Sequence, residues 1–182
     1  YVANASAQRS LVSKLNLNSF FDAAYSKFLE QGFKVSREDE YFVTRRVKSG
    51  ESSEAHRSHF DGHLLTLVLP IQIPFQGEHI GELYFVPNAR KQPRHEIQNI
   101  STKLLWKKFA SSSGFSRLIN TKRVKVENFK NGQPLAFLGN TTFHGNKALD
   151  NASSDRITML CHLFDPSPRY GISHMMRQFR NR

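Results

Sequence analysis

The sequence predicts a mainly β chain, a core of about eight strands closed into a barrel or sandwich, with flanking helices. Three observations predict it. Short runs of strand-forming residues recur along the chain, separated by loops rich in Gly, Pro and Asn. Helical periodicity is confined to one segment near the start and one in the middle. Strands therefore do not alternate with helices, which disfavours a doubly wound parallel sheet.

The leading helix is read over 19–32. Phe21, Tyr25, Phe28 and Leu29 fall on one face, and Gly32 suits a left-handed C-terminal cap. Residues 40–48 are rich in strand formers, with imperfect alternation. Leu64–Ile73 reads as a buried strand and Gly81–Pro87 as another, with a loop carrying Gly77, Glu78 and His79 between them. Over 95–110 the period changes. Ile97, Ile100, Leu104, Leu105 and Phe109 form a helical stripe largely surrounded by Lys103, Lys107 and Lys108, and Ser111–Gly114 ends it. Arg123–Phe129 and Pro134–Leu138 flank Asn131-Gly132, a hairpin signal. Thr141–His144 and Arg156–Asp165 read as the last strands, Pro166 and Pro168 follow, and a short basic helix is expected from Arg169.

Composition bounds the class. A chain of 182 residues with 38 % apolar residues and 15 Phe suits one domain with a substantial core and excludes a disordered polyelectrolyte. The single cysteine, Cys161, excludes an intramolecular disulfide and any multi-cysteine zinc site. The longest apolar run, Leu64–Ile73, is too short to span a bilayer and is broken by Pro70. No secretory signal is visible, so a cytoplasmic location is expected, although a start at Tyr1 rather than Met leaves a removed leader open. The net charge of +11 invites a nucleic-acid reading, but the charge is regional. Residues 90–130 hold eleven Lys/Arg and two Glu, a local +9; residues 169–182 hold four Arg and no acid; the remainder nets −2.

Three separated elements carry candidate chemistry. In the extended segment His59-Phe60-Asp61, residues two apart point to the same side, so an imidazole and a carboxylate can meet one ion. His144 offers a second imidazole from a strand far along the chain. Two His and one carboxylate on one face of a metal leave three positions open, the arrangement of non-haem Fe(II) oxygen chemistry. Taken alone, His59-x-Asp61 reads as a surface pair. Arg156 and Thr158 share a face of the last strand and suit a carboxylate held by guanidinium and hydroxyl, while an ion pair of Arg156 with Asp150 or Asp155 is the structural alternative.

Together, His59-x-Asp61, a distant His144 and Arg156-x-Thr158 resemble the signature of the Fe(II)/2-oxoglutarate-dependent oxygenases. The runs His59-Phe-Asp-Gly-His-Leu-Leu-Thr-Leu, Gly81-Glu-Leu-Tyr-Phe-Val-Pro, Phe143-His-Gly and Arg156-Ile-Thr-Met-Leu-Cys-His-Leu-Phe-Asp are similar to the prolyl-4-hydroxylase-like branch, over residues 56 to 166. The resemblance implies a double-stranded β-helix, a cupin-like jelly-roll barrel. It implies Fe(II) on His59, Asp61 and His144. It implies 2-oxoglutarate with its distal carboxylate on Arg156, helped by Thr158, and O2 as co-reactant, with ascorbate as an accessory reductant. The implied reaction hydroxylates an unactivated C–H bond and releases succinate and CO2, with His59, Asp61, His144 and Arg156 as the catalytic group.

Two departures refine this. Prolyl hydroxylases usually place Lys where this chain has Arg156, which argues against a prolyl substrate; a peptidyl-prolyl-type hydroxylase stays as an alternative. The DNA-dealkylating branch carries a second Arg six residues after the first, and here that position is His162. Among the other histidines, His63 lies four after His59 without a following Glu, so a zinc-protease motif is poor. His162 shares the face of Arg156 and Thr158 and is a candidate to line the cavity. His56, His79, His95 and His174 read as surface or loop residues. Cys161 reads as a small core residue, Trp106 as core packing, and Thr66, Gln72 and Tyr84 as candidate cavity polar groups.

The expected organisation is one oxygenase domain over 1–168, with a leading helix and supporting strands in 1–50 and the barrel in 51–168. The basic insertion 90–130 interrupts the barrel between Asp61 and His144, and 169–182 form a basic tail. The insertion reads as a lid or platform for an anionic small molecule or peptide, or as a solvated helix face. A non-catalytic basic barrel binding nucleic acid or an acidic partner is the other function class; aromatic interleaving of the kind that stacks bases is sparse.

Overall fold

The computed structural model describes residues 5–37, 40–50, 58–112, 114, 115, 117, 124–166 and 175. The expected basic tail helix, His56, His174 and residues 118–123 of the insertion lie outside the described residues.

Two antiparallel sheets face each other. The larger has the order β1-β9-β2-β6, with β1 Tyr41–Val47, β2 Leu65–Gln72, β6 Leu135–Phe137 and β9 Arg156–Leu163. The smaller has the order β5-β4-β7, with β4 Leu83–Val86, β5 Lys125–Glu127 and β7 Phe143–Asn146. A single antiparallel bridge between His59 and His144 adds the segment around residue 59 to the open edge of β7. Two short strands, β3 (His79–Ile80) and β8 (Leu149–Asp150), pair with each other. Along the chain the path therefore passes from the large sheet to the small one at residue 59, back to β2, across to β4 and β5, back to β6, across to β7 and back to β9. That crossing pattern is the jelly roll, or double-stranded β-helix.

Paired residues of an antiparallel ladder point to the same face. The β1–β9 register pairs Tyr41 with His162, Val43 with Leu160, Arg45 with Thr158 and Val47 with Arg156; Tyr41, Arg45 and all four β9 partners line the barrel cavity. The alternate residues, Phe42, Met159 and Cys161, face the other way, into a cluster with Val12 and Phe21. That cluster is covered by α1 (Ala5–Lys14) and α2 (Leu17–Glu30). Phe21 is buried there and stacks on Phe42 at 6.5 Å, a burial of about 2 kcal/mol. Gln8 of α1 is hydrogen-bonded to the Thr44 hydroxyl at 3.2 Å, tying the first helix to β1.

Several sequence expectations change here. The leading helix begins at Leu17, and α1 precedes it as a separate helix joined through Asn16, whose φ of 52° breaks the helical path. Leu29 is exposed rather than packed with Phe21, Tyr25 and Phe28. Asn131-Gly132 does make a tight turn, with Gln133 N–H donating to the Lys130 carbonyl and Gly132 at φ 73°. However, it connects β5 of the small sheet to β6 of the large one, so the flanking strands do not pair as a hairpin. Gly81–Pro87 yields β4, while the loop carrying His79 contributes β3.

The insertion helix α3 (Glu96–Ala110) forms as expected, capped by His95, whose Nδ1 accepts from Gln98 N–H at 3.3 Å. Its predicted apolar stripe is reversed. Ile97, Leu104 and Leu105 are 78 %, 62 % and 67 % exposed, while Trp106 and Ala110 pack inward against Phe60, Phe143 and Phe115. Trp106 meets Phe143 at 4.8 Å and Phe60 edge-on at 5.8 Å, aromatic contacts that fix which face of the helix lies inward. Arg90 adds a staple, donating to Thr102 Oγ1 at 2.7 Å and to the Asn140 carbonyl at 2.8 Å, with its guanidinium 4.1 Å over the Phe60 ring.

Candidate metal centre

His59 and Asp61 come from the extended segment entering β2, and His144 from β7. The bridge that joins them is reciprocal: His59 N–H donates to the His144 carbonyl at 2.9 Å, and His144 N–H returns the bond at 3.1 Å. Backbone pairing therefore sets the two imidazoles side by side, ring centroids 4.5 Å apart. One donor atom from each of His59, Asp61 and His144 lies within 4.8 Å of the others. His59 Nε2 is 3.4 Å from Asp61 Oδ1, and His144 Nε2 is 3.5 Å from Asp61 Oδ2. Asp61 and His144 are buried, whereas His59 stands half-exposed at the rim.

The carboxylate is held from behind. Thr66 of β2 donates to Asp61 Oδ2 at 2.5 Å, and His162 Nδ1 lies 3.8 Å from the same oxygen. Asp61 N–H donates to the Gly139 carbonyl at 3.0 Å. A Cβ at Gly139 would collide with Asp61 Oδ2 and Thr66 Oγ1, so the chain needs glycine at that close approach. Burial opposes ionisation of Asp61, yet the facing imidazoles, His144 foremost, outweigh it and hold the carboxyl well below its usual range. Burial also pushes the His144 imidazole down, with Asp61 opposing. The pair thus favours an anionic carboxylate and a neutral imidazole, the protonation states that ligate metal. His144 Nδ1 lies 3.0 Å from the Thr142 carbonyl; that hydrogen bond takes the Nδ1 proton and leaves the Nε2 lone pair toward Asp61. Two imidazole nitrogens and one carboxylate oxygen, converging with their other atoms tied back, fit a divalent first-row metal ion.

The group opens into a cavity of about 380 Å3. Arg156 and Thr158 line the same cavity, so the two sets of candidate residues face one space. Arg156 is buried, donates from Nη1 to the Gly81 carbonyl, and keeps an Nε with no hydrogen-bond partner. Among the described residues no carboxylate pairs with it; Asp155 instead binds Arg46 at 2.6 Å. Burial, reinforced by the charge of Arg45, lowers the Arg156 pKa to about 10. A buried guanidinium short of a partner is what an organic carboxylate would satisfy.

The remaining candidates divide. His162 lines the cavity and stacks on Tyr41 at 4.6 Å, and His63 lines it too, packed edge-on against Tyr41 at 5.0 Å. Thr66 acts through Asp61. Gln72 does not reach the cavity: a bulge between Pro70 and Gln72 shifts the register, and its amide is exposed, donating to the Asp155 carbonyl at 2.9 Å. Tyr84 is wholly buried behind the site, its hydroxyl 2.6 Å from Ser58 Oγ, and does not line the cavity. His79 pairs with Glu82 at 3.5 Å, away from the metal group. Cys161 lies in the core between β9 and the helices, and burial raises its thiol to about 12. Sequence reasoning missed Arg45, Asn99, Lys103 and Asn146, all of which line the cavity. Arg45 was legible as the partner of Thr158 only once the β1–β9 register was known; Asn99 and Lys103 needed the orientation of α3.

No family model matches this chain, and no curated protein matches it. Among solved structures, a cupin domain from Bordetella pertussis Tohama I is similar over 72 % of this chain and 90 % of its own, at 8 % identity and a TM-score of 0.36. A likeness that weak carries no argument, and the architecture rests on the strand order. On that order and the donor geometry, the chain is a cupin-like jelly roll whose His59, Asp61 and His144 can hold a metal ion.

Proposed function

We propose that this chain is an Fe(II)- and 2-oxoglutarate-dependent dioxygenase that hydroxylates a C–H bond of an anionic small molecule or peptide. One observation carries the reading: the His-Asp-His group and a buried guanidinium with an unpartnered Nε line the same cavity. His59, Asp61 and His144 would hold the iron on one face, and Arg156 with Thr158 would bind the distal carboxylate of 2-oxoglutarate. When bound, iron and cosubstrate supply the oxidising equivalents, with succinate and CO2 as the by-products.

The protein's own part is positional. Thr66 fixes the Asp61 carboxylate, the Gly139 carbonyl holds the Asp61 backbone N–H, and the Thr142 carbonyl fixes the His144 ring. Arg156, which forms an ion pair with no carboxylate among the described residues, would orient a dicarboxylate lengthwise across the barrel. Phe129, Phe137, Val68, Leu83 and Leu160 give the cavity apolar walls that exclude water around the reacting carbon. Arg45 and Lys103 add positive charge to the cavity lining, which favours an anionic substrate. Arg156 in place of the lysine of prolyl hydroxylases favours a substrate other than prolyl peptides.

The test is succinate formation from 2-oxoglutarate by purified chain under air with Fe(II). Uncoupled turnover is expected without added substrate, and it should vanish in Asp61→Ala. A protein that binds iron but neither binds 2-oxoglutarate nor releases succinate would sink the oxygenase reading. Salt-sensitive nucleic-acid binding by such an inactive protein would promote the basic-barrel alternative.

A further inference from the structure

The outward face of α3 carries an apolar stripe with Lys108 set within it and Lys107 at its edge, and is uncovered among the described residues. Ile97, Ile100, Leu104 and Leu105 recur at the spacing of one helical face, and all four are exposed. The helix cannot turn to hide them. Trp106 and Ala110 are packed on its other side, and Arg90 ties Thr102 to the Asn140 carbonyl and the Phe60 ring. Whatever covers this stripe must come from outside the described residues.

Charge selects the occupant. Lys91, Arg94, Lys107 and Lys108 are exposed on and around α3, and Glu96 is the one acidic residue in 90–112. A second copy of the chain would bring the same cations into contact, and the stretch 169–182 of this chain carries four Arg and no acid. Both are disfavoured by like-charge repulsion. The partner must be apolar and anionic. A single helix is a convex ridge rather than a groove, which suits a fluid bilayer interface better than the knobs of a folded protein. No helix of the described residues is long and apolar enough to cross a membrane, so the mode is surface association.

We propose that α3 docks this protein on an anionic membrane surface. Ile97, Leu104 and Leu105 enter the acyl boundary, while Arg94, Lys107 and Lys108 meet headgroup phosphates. Asn99 and Lys103 line the cavity from the opposite side of the same helix, so α3 would lie between the cavity and the lipid. The inference stands apart from the oxygenase reading and is tested without turnover.

The experiment is sedimentation of the full chain with phosphatidylcholine vesicles containing roughly one-third phosphatidylserine, and with phosphatidylcholine alone. Wild type should sediment with the anionic vesicles at low salt and be released at high salt. Lys107→Ala/Lys108→Ala should weaken binding on the order of thirty-fold. Leu104→Ser/Leu105→Ser should weaken it at least about tenfold, with unchanged circular dichroism because both side chains face outward. Failure of folded wild type to bind anionic vesicles overturns the proposal, as does full binding by the leucine variant. Self-association abolished by the leucine variant, or capture of an acidic amphipathic peptide without vesicle binding, assigns the face to a protein partner and equally overturns it.

Discussion

Replacing Arg156 by Met should move stability and cosubstrate affinity in opposite directions. The guanidinium is 3 % exposed, and its pKa falls from the usual 12.5 to about 10, chiefly through burial. That displacement corresponds to roughly 3 kcal/mol by which the fold disfavours the charge. The penalty is fully present at neutral pH, where Arg is charged folded and unfolded, and fades as pH rises through about 10. Met fills similar volume without the charge, and loses the bond to the Gly81 carbonyl, worth about 1–2 kcal/mol. The ligand-free variant should therefore be more stable by about 1–2 kcal/mol, a melting temperature roughly 2–8 °C higher for a chain of this size. Its affinity for 2-oxoglutarate should fall about a hundredfold or more, from loss of a buried charge-assisted contact. Thermal melts with and without 2-oxoglutarate, in the presence of Fe(II) under nitrogen, read both quantities. A variant destabilised without ligand, yet stabilised by 2-oxoglutarate as wild type is, would refute the assignment of Arg156 as an unsatisfied anion receptor.

Three further outcomes follow from the same geometry. Thr66→Val removes the hydroxyl that fixes Asp61 Oδ2 and should lower metal affinity about 10–100-fold, read by metal titration; wild-type affinity would mean the carboxylate is held without it. Gly139→Ala places a methyl against Asp61 and Thr66, so it should displace the carboxylate and reduce bound metal at least about tenfold while circular dichroism is retained. Cys161, wholly buried with its thiol raised to about 12, should resist iodoacetamide at pH ~8 until global opening. Rapid labelling of native protein, scored by mass spectrometry, would contradict its place in the core.

The parts of the molecule most legible in sequence were those where one local pattern has one structural solution. Leu64–Ile73, an apolar run, and Arg156–Asp165, rich in strand-forming residues, read as strands and became the central pair β2 and β9. His59, Asp61, His144 and Arg156 were legible as a set because their order and spacing resemble a known signature, and all four line one cavity. The misreadings share a different cause. Periodicity states that a helix has an apolar face but not which face lies inward; in α3 the choice fell to Trp106 and the Arg90 staple, over the longer Ile/Leu stripe. An Asn-Gly turn reverses the chain whether its flanking strands share a sheet or arch between two, and only the β4–β5 and β2–β6 ladders decide. Gln72 was misplaced because strict alternation cannot foresee the bulge after Pro70.

The single bridge between His59 and His144 has a mechanical meaning. It is the only backbone pairing that attaches the segment around residue 59 to β7 among the described residues, and two of the three donor side chains sit on it. A slip of one residue would turn both neighbours of Phe60 to the opposite face and scatter the donors. A cation gripping His59, Asp61 and His144 at once would then act as a rivet across the seam, storing in coordination bonds the register that one pair of hydrogen bonds barely specifies. Metal release should accordingly fray this rim first, where His59 stands half-exposed.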